Sequence, residues 1–149
     1  MSFDSCYSND NSATGYELDS AVYCSLNGCA ADNNAFGGYA LYGAQACSLA
    51  GCGSESNTGA ANVLLSGGTG NTVSGLWVNN NTTIGVSLAS GEVEATLTGC
   101  VENSAVGASA FIKTVTGTSC VVINDKHTTA NSFASGTAYE ILPTGATTH

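Results

Sequence analysis

The sequence predicts an all-β protein, a right-handed parallel β-helix with about 23 residues in each rung. Cysteines recur at a constant interval, at Cys6, Cys29 and Cys52. Apolar pairs recur at similar intervals along the chain: Tyr16/Leu18, Tyr39/Leu41, Val63/Leu65, Val86/Leu88 and Ala110/Ile112. A constant period of this length is typical of a solenoid, and the right hand follows from the general preference of parallel connections.

Each rung is expected to contain two short runs in which apolar and polar residues alternate, as in 15–19 and 23–26, followed by a polar corner. The β-helix is assigned to 1–142, with 143–149 as a C-terminal tail. Residues 2–12 hold the end of a first, incomplete rung, 128–142 form a weaker last one, and the full turns between them are 13–34, 35–57, 58–81, 82–104 and 105–127. The first rung carries no recognisable cap. We therefore expect it to continue another solenoid or to pack against partner chains, and we do not expect a stable monomer.

The composition narrows the classes of partner. The formal net charge is −9, and the only cationic side chains are Lys113 and Lys126, which excludes a basic surface for nucleic acid. No apolar run is long enough to span a membrane, and the start of the chain does not resemble a signal peptide. No set of residues with a recognisable ligand spacing predicts a metal or another cofactor.

The cysteines are expected to be free thiols stacked in the core. Cys6, Cys29, Cys52 and Cys100 coincide with the leucine repeat, which predicts one inward column. Equivalent residues on adjacent rungs lie about 4.8 Å apart, so a disulfide is not excluded by distance. A zinc site formed by 24–29 and 47–52 is a weaker alternative, because the four-residue gap between cysteines is unusual for such sites.

Two patterns carry a resemblance to a known family. They are N-N-x-x-G-Y/V-x-L and x-L-x-G-C-x-x-x-N-N, and together they cover most of the chain. In this respect the chain resembles the pectate-lyase-like β-helix of bacteriophage tailspikes and depolymerases. The resemblance implies a homotrimer on the virion tail, attached to a preceding tailspike segment, that recognises bacterial surface polysaccharide outside the host cell.

Two functions follow from this resemblance. The first is a receptor-binding module, and the alternative is a polysaccharide depolymerase that cleaves the glycan by hydrolysis or elimination. A structural or ice-binding solenoid is a third hypothesis, suggested by the short pairs Thr96/Thr98 and Thr114/Thr116.

Two carboxylate pairs are candidates for catalysis. Glu17 and Asp19 alternate with the apolar repeat, so both should point outward from one strand at a separation suited to a glycosidase. Glu92 and Glu94 are the second choice, because repulsion between two close carboxylates would raise the pKa of at least one of them.

Two aromatic residues are candidates for stacking on a sugar ring. Tyr42 should lie one rung above Asp19, and Trp77 should align with Gly53 and Val101 on the outer surface. For Trp77, packing at a subunit interface is the alternative.

Overall fold

A computed structural model describes residues 1–80 and 82–141 and confirms the parallel β-solenoid. All regular secondary structure in these ranges is β-strand, with no helix. The corner residue Asn81, the end of the last predicted rung and the predicted tail 143–149 lie outside the described residues.

The strands form three parallel sheets, named A, B and C. Sheet A contains β1 (Ser2–Asp4), β4 (Ser25–Asn27), β7 (Ser48–Ala50), β10 (Thr72–Ser74), β13 (Ala95–Thr98), β16 (Cys120–Ile123) and β17 (Ala138–Ile141). Sheet B contains β2 (Tyr7–Asn9), β5 (Ala30–Asp32), β8 (Gly53–Glu55), β11 (Trp77–Asn79) and β14 (Val101–Glu102). Sheet C contains β3 (Tyr16–Asp19), β6 (Tyr39–Tyr42), β9 (Val63–Ser66), β12 (Ile84–Ala89) and β15 (Ala110–Thr114).

The third strand of each turn was not predicted. The sequence indicated two alternating runs per rung, and these correspond to sheets C and A. Sheet B is built from short segments such as Ala30–Asp32 and Gly53–Glu55, whose inward residues are small. These segments lack the apolar alternation that marks a strand in sequence, although their backbones pair in register.

The predicted period holds for most of the chain and changes near its end. Val86 pairs with Val63, one repeat period earlier, as expected. On its other side Val86 pairs with Ile112, and not with Ala110 as the sequence pattern predicted. The turn before β15 is therefore longer than the others, which moves the apolar repeat along the strand without changing the face it presents.

Inward side chains of the three sheets form one apolar core. Leucines of sheets A and C are fully buried in it, among them Leu26, Leu49, Leu97, Leu41, Leu65 and Leu88. Tyr16 and Tyr39 stack on adjacent turns with their ring centroids 5.2 Å apart. The Tyr39 hydroxyl donates toward the carbonyl oxygens of Cys29 and Gly53, both at 2.8 Å, which satisfies this polar group within the core.

All seven cysteines are free thiols, as predicted. Cys29, Cys52 and Cys100 are buried in one column, and each donates its S–H to a carbonyl of the preceding turn, for example Cys52 Sγ to Leu26 O at 3.3 Å. Cys6 occupies the equivalent position in the first turn but is exposed. Its burial was wrongly predicted, because no earlier turn covers it among the described residues.

We expect a thiol-specific reagent to label Cys6 and Cys24 rapidly in the folded protein and the other cysteines only after unfolding. Cys6 is exposed and Cys24 half-buried, whereas the others are buried. Burial also raises the pKa of Cys100 and Cys120 to about 11, which suppresses the reactive thiolate. A time course with Ellman's reagent, repeated on Cys6→Ser, checks this. Rapid labelling of more than two thiols would contradict the buried column.

The corners between strands are formed by columns of left-handed residues. After sheet A, one residue per turn has φ between 53° and 60°: Ser5, Gly28, Gly51, Gly75, Gly99 and Asn124. Glycine and asparagine tolerate this conformation better than other residues. This explains why glycine recurs in the predicted pattern immediately before the cysteine column.

Asparagines form a hydrogen-bonded ladder at the corner after sheet B. Asn11, Asn34 and Asn57 lie on successive turns, and we call them the Asn ladder. Asn11 Nδ2 donates to Asn34 Oδ1 at 2.8 Å, and Asn34 Nδ2 donates to Asn57 Oδ1 at 3.0 Å. Asn34 and Asn57 are fully buried. The ladder therefore replaces water as the partner of backbone groups inside the corner.

Candidate functional site

The outer surface of sheet B places two aromatic rings on either side of small residues. Tyr7, Ala30, Gly53 and Trp77 are aligned on four successive turns by strand pairing. Tyr7 is 63% and Trp77 40% exposed. With a strand spacing of about 4.8 Å, the two aromatic positions are roughly 14 Å apart along the axis. The small residues between them leave a shallow floor with an aromatic wall at each end, which we call the sheet-B face.

Polar side chains line this floor in the next outward column. Asp32 pairs with Glu55 on the adjacent turn. Asp32 Oδ2 accepts a hydrogen bond from the Tyr7 hydroxyl at 3.2 Å, while its Oδ1 is buried without a partner. Glu55 Oε1 accepts from Asn79 Nδ2 at 2.7 Å. The face thus combines aromatic surfaces with oriented carboxylate and amide groups, a combination suited to binding a hydroxyl-rich ligand.

Sequence reasoning identified Trp77 in this site and missed its neighbours. The outward orientation predicted for Trp77 is confirmed, as is its alignment with Gly53 and Val101. Asp32 and Glu55 were not among the candidate carboxylates. Their separation by one full repeat period is the signal that would have placed two carboxylates side by side.

The first predicted carboxylate pair lies on sheet C, away from Trp77. Glu17 and Asp19 are both exposed on β3, as predicted. Asp19 pairs with Tyr42 on the next turn, and Tyr42 is 39% exposed. The Ser20 hydroxyl donates to Asp19 Oδ1 at 3.0 Å. Tyr42 and Trp77 therefore belong to different sheets, so they do not line one continuous column. A catalytic role for Glu17 and Asp19 stays a prediction.

The second predicted pair does not face one surface. Glu94 is exposed, but Glu92 is fully buried, which corrects the expectation of two neighbouring surface carboxylates. Glu92 Oε2 accepts from the Gly68 N–H at 2.8 Å, and its Oε1 accepts from Asn71 Nδ2 at 2.9 Å. Burial raises the pKa of Glu92, and these hydrogen bonds oppose the rise. The cause is desolvation, not repulsion by Glu94.

Two weaker sequence hypotheses are also changed by the structure. Thr114 is buried, so Thr114/Thr116 is not a surface threonine patch of the ice-binding kind. Cysteines are absent from the groups of three or more metal-ligating side chains found in the described ranges. The zinc site proposed for 24–29 and 47–52 is therefore not assembled there.

The fold and this face define the chain as a parallel β-solenoid with an aromatic and acidic outer surface. Neither a scan against protein-family models nor a search of curated proteins finds a match for this chain. Within the described residues, no helix has the length and apolar character needed to cross a membrane.

Proposed function

We propose that this chain is a receptor-binding module of the phage-tailspike type, which recognises a bacterial surface polysaccharide through the sheet-B face. The observation that carries the proposal is the alignment of exposed Tyr7 and Trp77 across Ala30 and Gly53, beside Asp32 and Glu55. An aromatic ring packs against the C–H face of a sugar, and carboxylate oxygens accept hydrogen bonds from sugar hydroxyls.

The charge of the protein favours an uncharged polysaccharide as the ligand. The formal net charge is −9, and two carboxylates lie at the centre of the proposed site. An acidic glycan would be repelled by this surface, whereas a neutral one would meet hydrogen-bonding groups and aromatic rings without charge repulsion. The glycan chain would run along the solenoid axis, parallel to the column of small residues.

The proposal includes a homotrimer, or attachment to a preceding tailspike segment. The strands β1, β2 and β3 each have a described strand partner on one side only. Unpaired strand edges readily accept further strands, so pairing with another chain or segment would satisfy them. Light scattering on the purified chain tests this part of the proposal. A stable monomer at micromolar concentration would count against it.

We expect Trp77→Ala to weaken binding of neutral envelope polysaccharide at least about tenfold, because it removes the larger of the two stacking surfaces. Tyr7→Ala should weaken binding as well. Tyr139→Ala is the matched control, because Tyr139 is exposed on sheet A. Calorimetric titration with polysaccharides from candidate hosts measures the affinities.

The same titration can overturn the proposal in two ways. Loss of affinity in Tyr42→Ala but not in Trp77→Ala would move the site to sheet C. No binding of any host glycan by the wild-type chain would reject the function itself.

Depolymerisation is the second candidate, favoured by the pairing of Asp32 with Glu55. Their Cα atoms lie on adjacent strands about 4.8 Å apart, which is compatible with the carboxyl separation of about 5–5.5 Å in retaining glycosidases. Release of reducing ends is the measurement. Cleavage lost in Asp32→Asn and Glu55→Gln would assign it to sheet B, and cleavage lost in Glu17→Gln and Asp19→Asn would assign it to sheet C.

A further inference from the structure

A second cluster of chemically active side chains lies in the last described turn, two turns beyond Trp77 in the direction of the axis. Asp125, His127 and Glu140 offer one ligand atom each, and these atoms all lie within 4.8 Å of one another. Asp125 and His127 follow β16, and Glu140 is on β17, which pairs with β16. This cluster has no part in the proposed glycan site.

Strand register explains why these polar groups meet. Lys126 pairs with Val101, which puts Asp125 in line with Cys100 in the inward cysteine column. Glu140 pairs with Val122, whose side chain is fully buried in the core. Asp125 and Glu140 thus occupy positions that hold apolar or thiol side chains in the earlier turns. Asp125 is buried at its position and so calls for a compensating partner, whereas Glu140 is exposed in the last described turn.

The neighbours of Asp125 compensate its buried carboxylate only in part. Its side chain is 1% exposed, and His127 Nε2 lies 3.5 Å from Asp125 Oδ2. The other oxygen, Asp125 Oδ1, is buried and has no hydrogen-bond partner among the described residues. A buried carboxylate whose second oxygen accepts no hydrogen bond is costly, and a cation beside the carboxylate would compensate its charge.

Surrounding residues hold the cluster in place. Asn131 Nδ2 donates to Asp125 Oδ2 at 2.8 Å and to Glu140 Oε1 at 2.6 Å. Asn131 Oδ1 in turn accepts from the Ile112 N–H at 3.0 Å. The His127 ring stacks on Phe111 with a centroid separation of 5.9 Å. Hydrogen bonds and packing that orient metal ligands in this way are typical of metal sites.

We propose that Asp125, His127 and Glu140 bind a divalent zinc ion, with a fourth position open to water. Tetrahedral zinc with bonds of about 2.0–2.2 Å has ligand atoms roughly 3.3–3.6 Å apart. The pair His127–Asp125 already meets this separation at 3.5 Å. Glu140 is exposed on the last strand, so a change of its side-chain rotamer can close the remaining distance. The imidazole favours zinc over magnesium or calcium, which prefer oxygen ligands.

Titration of the full chain with Zn²⁺, after treatment with chelator, tests the site. We expect one equivalent to bind and the melting temperature to rise, because the ion joins β17 to the segment after β16. Glu140→Gln and His127→Gln should each reduce affinity at least about tenfold. Glu140 is exposed, so its variant keeps the fold intact if the His127 variant does not.

Two controls separate this site from other zinc-binding groups. Asp10→Asn removes one exposed carboxylate elsewhere and should leave affinity unchanged. The double variant Cys6→Ser/Cys24→Ser removes the accessible thiols and should also bind normally. Failure of the wild type to bind, unchanged affinity in Glu140→Gln, or loss of binding in the double cysteine variant would each overturn the proposal.

Discussion

Replacing Asn57 by alanine is expected to lower the free energy of unfolding by about 3–5 kcal/mol. Asn57 Oδ1 accepts from the Asn34 N–H at 2.8 Å and from Asn34 Nδ2 at 3.0 Å. Its Nδ2 donates to Ala31 O at 3.1 Å and to Ser54 Oγ at 2.9 Å. All these groups are shielded from water, so alanine would leave several of them without a hydrogen-bond partner at once. Urea-induced unfolding measures the loss.

The matched control for this prediction is Asn103→Ala. Asn103 is exposed, and its Nδ2 donates to Asn79 Oδ1 at 3.1 Å on the outer surface. Water can replace that bond, so the expected change is within about 0.5 kcal/mol. A similar loss of unfolding free energy in the two variants would mean that the Asn ladder contributes no more to stability than a surface amide does.

Replacing Gly68 by alanine is expected to destabilise the fold by at least about 3 kcal/mol. A Cβ atom at this position would collide with the carbonyl oxygen of Ala44 and would lie 2.8 Å from Glu92 Oε2. The Ala44 carbonyl is backbone and accepts from the Thr69 N–H, so it cannot move without disturbing the pairing between turns. The hydrogen bond from Gly68 N–H to buried Glu92 would also be strained. Thermal unfolding followed by circular dichroism measures the effect.

Gly53→Ala provides the control for that substitution. A Cβ atom on Gly53 would meet only Ala30 Cβ and Trp77 Cε3, both at 4.0 Å, which is ordinary van der Waals contact. The stability of this variant should therefore stay close to that of the wild type, or increase slightly because alanine restricts the unfolded chain. If Gly68→Ala lowers the stability no more than Gly53→Ala does, the collision at Gly68 is relieved at little cost.

The repeat could be predicted from sequence because equivalent residues on successive turns share one environment. Leu26 and Leu49 pair across sheet A, and their common spacing is visible without any structure. Sheet B could not be predicted in the same way, since Gly53 and Ser54 carry no apolar signal. For this reason Tyr7, Asp32 and Glu55 were missed, although Trp77 was correctly placed outward. Sequence reasoning failed in the same sheet that holds the candidate site.

The burial of certain polar residues is the second feature that could not be predicted from the sequence. Glu92 and Asp125 look like surface acids in the sequence, yet both are buried, because the turns around them place their side chains inward. The backbone conformation at a corner determines whether the side chain of such a residue points into the core or toward solvent. Its hydrogen-bond partners can come from a neighbouring turn that is distant in sequence, as Gly68 does for Glu92. Neither fact can be read from the local pattern of charge.

The left-handed corner columns make the turn a unit of growth. Each corner is formed by a left-handed residue within its own turn, such as Gly51 or Gly75. A duplicated turn would therefore contain the residues that its own corners need. Gene duplication of one turn would lengthen the molecule by one strand spacing, about 4.8 Å, without disturbing the turns on either side. A ligand-binding surface on such a scaffold can be lengthened in fixed steps, so its reach along a polymer can evolve separately from its affinity for one unit.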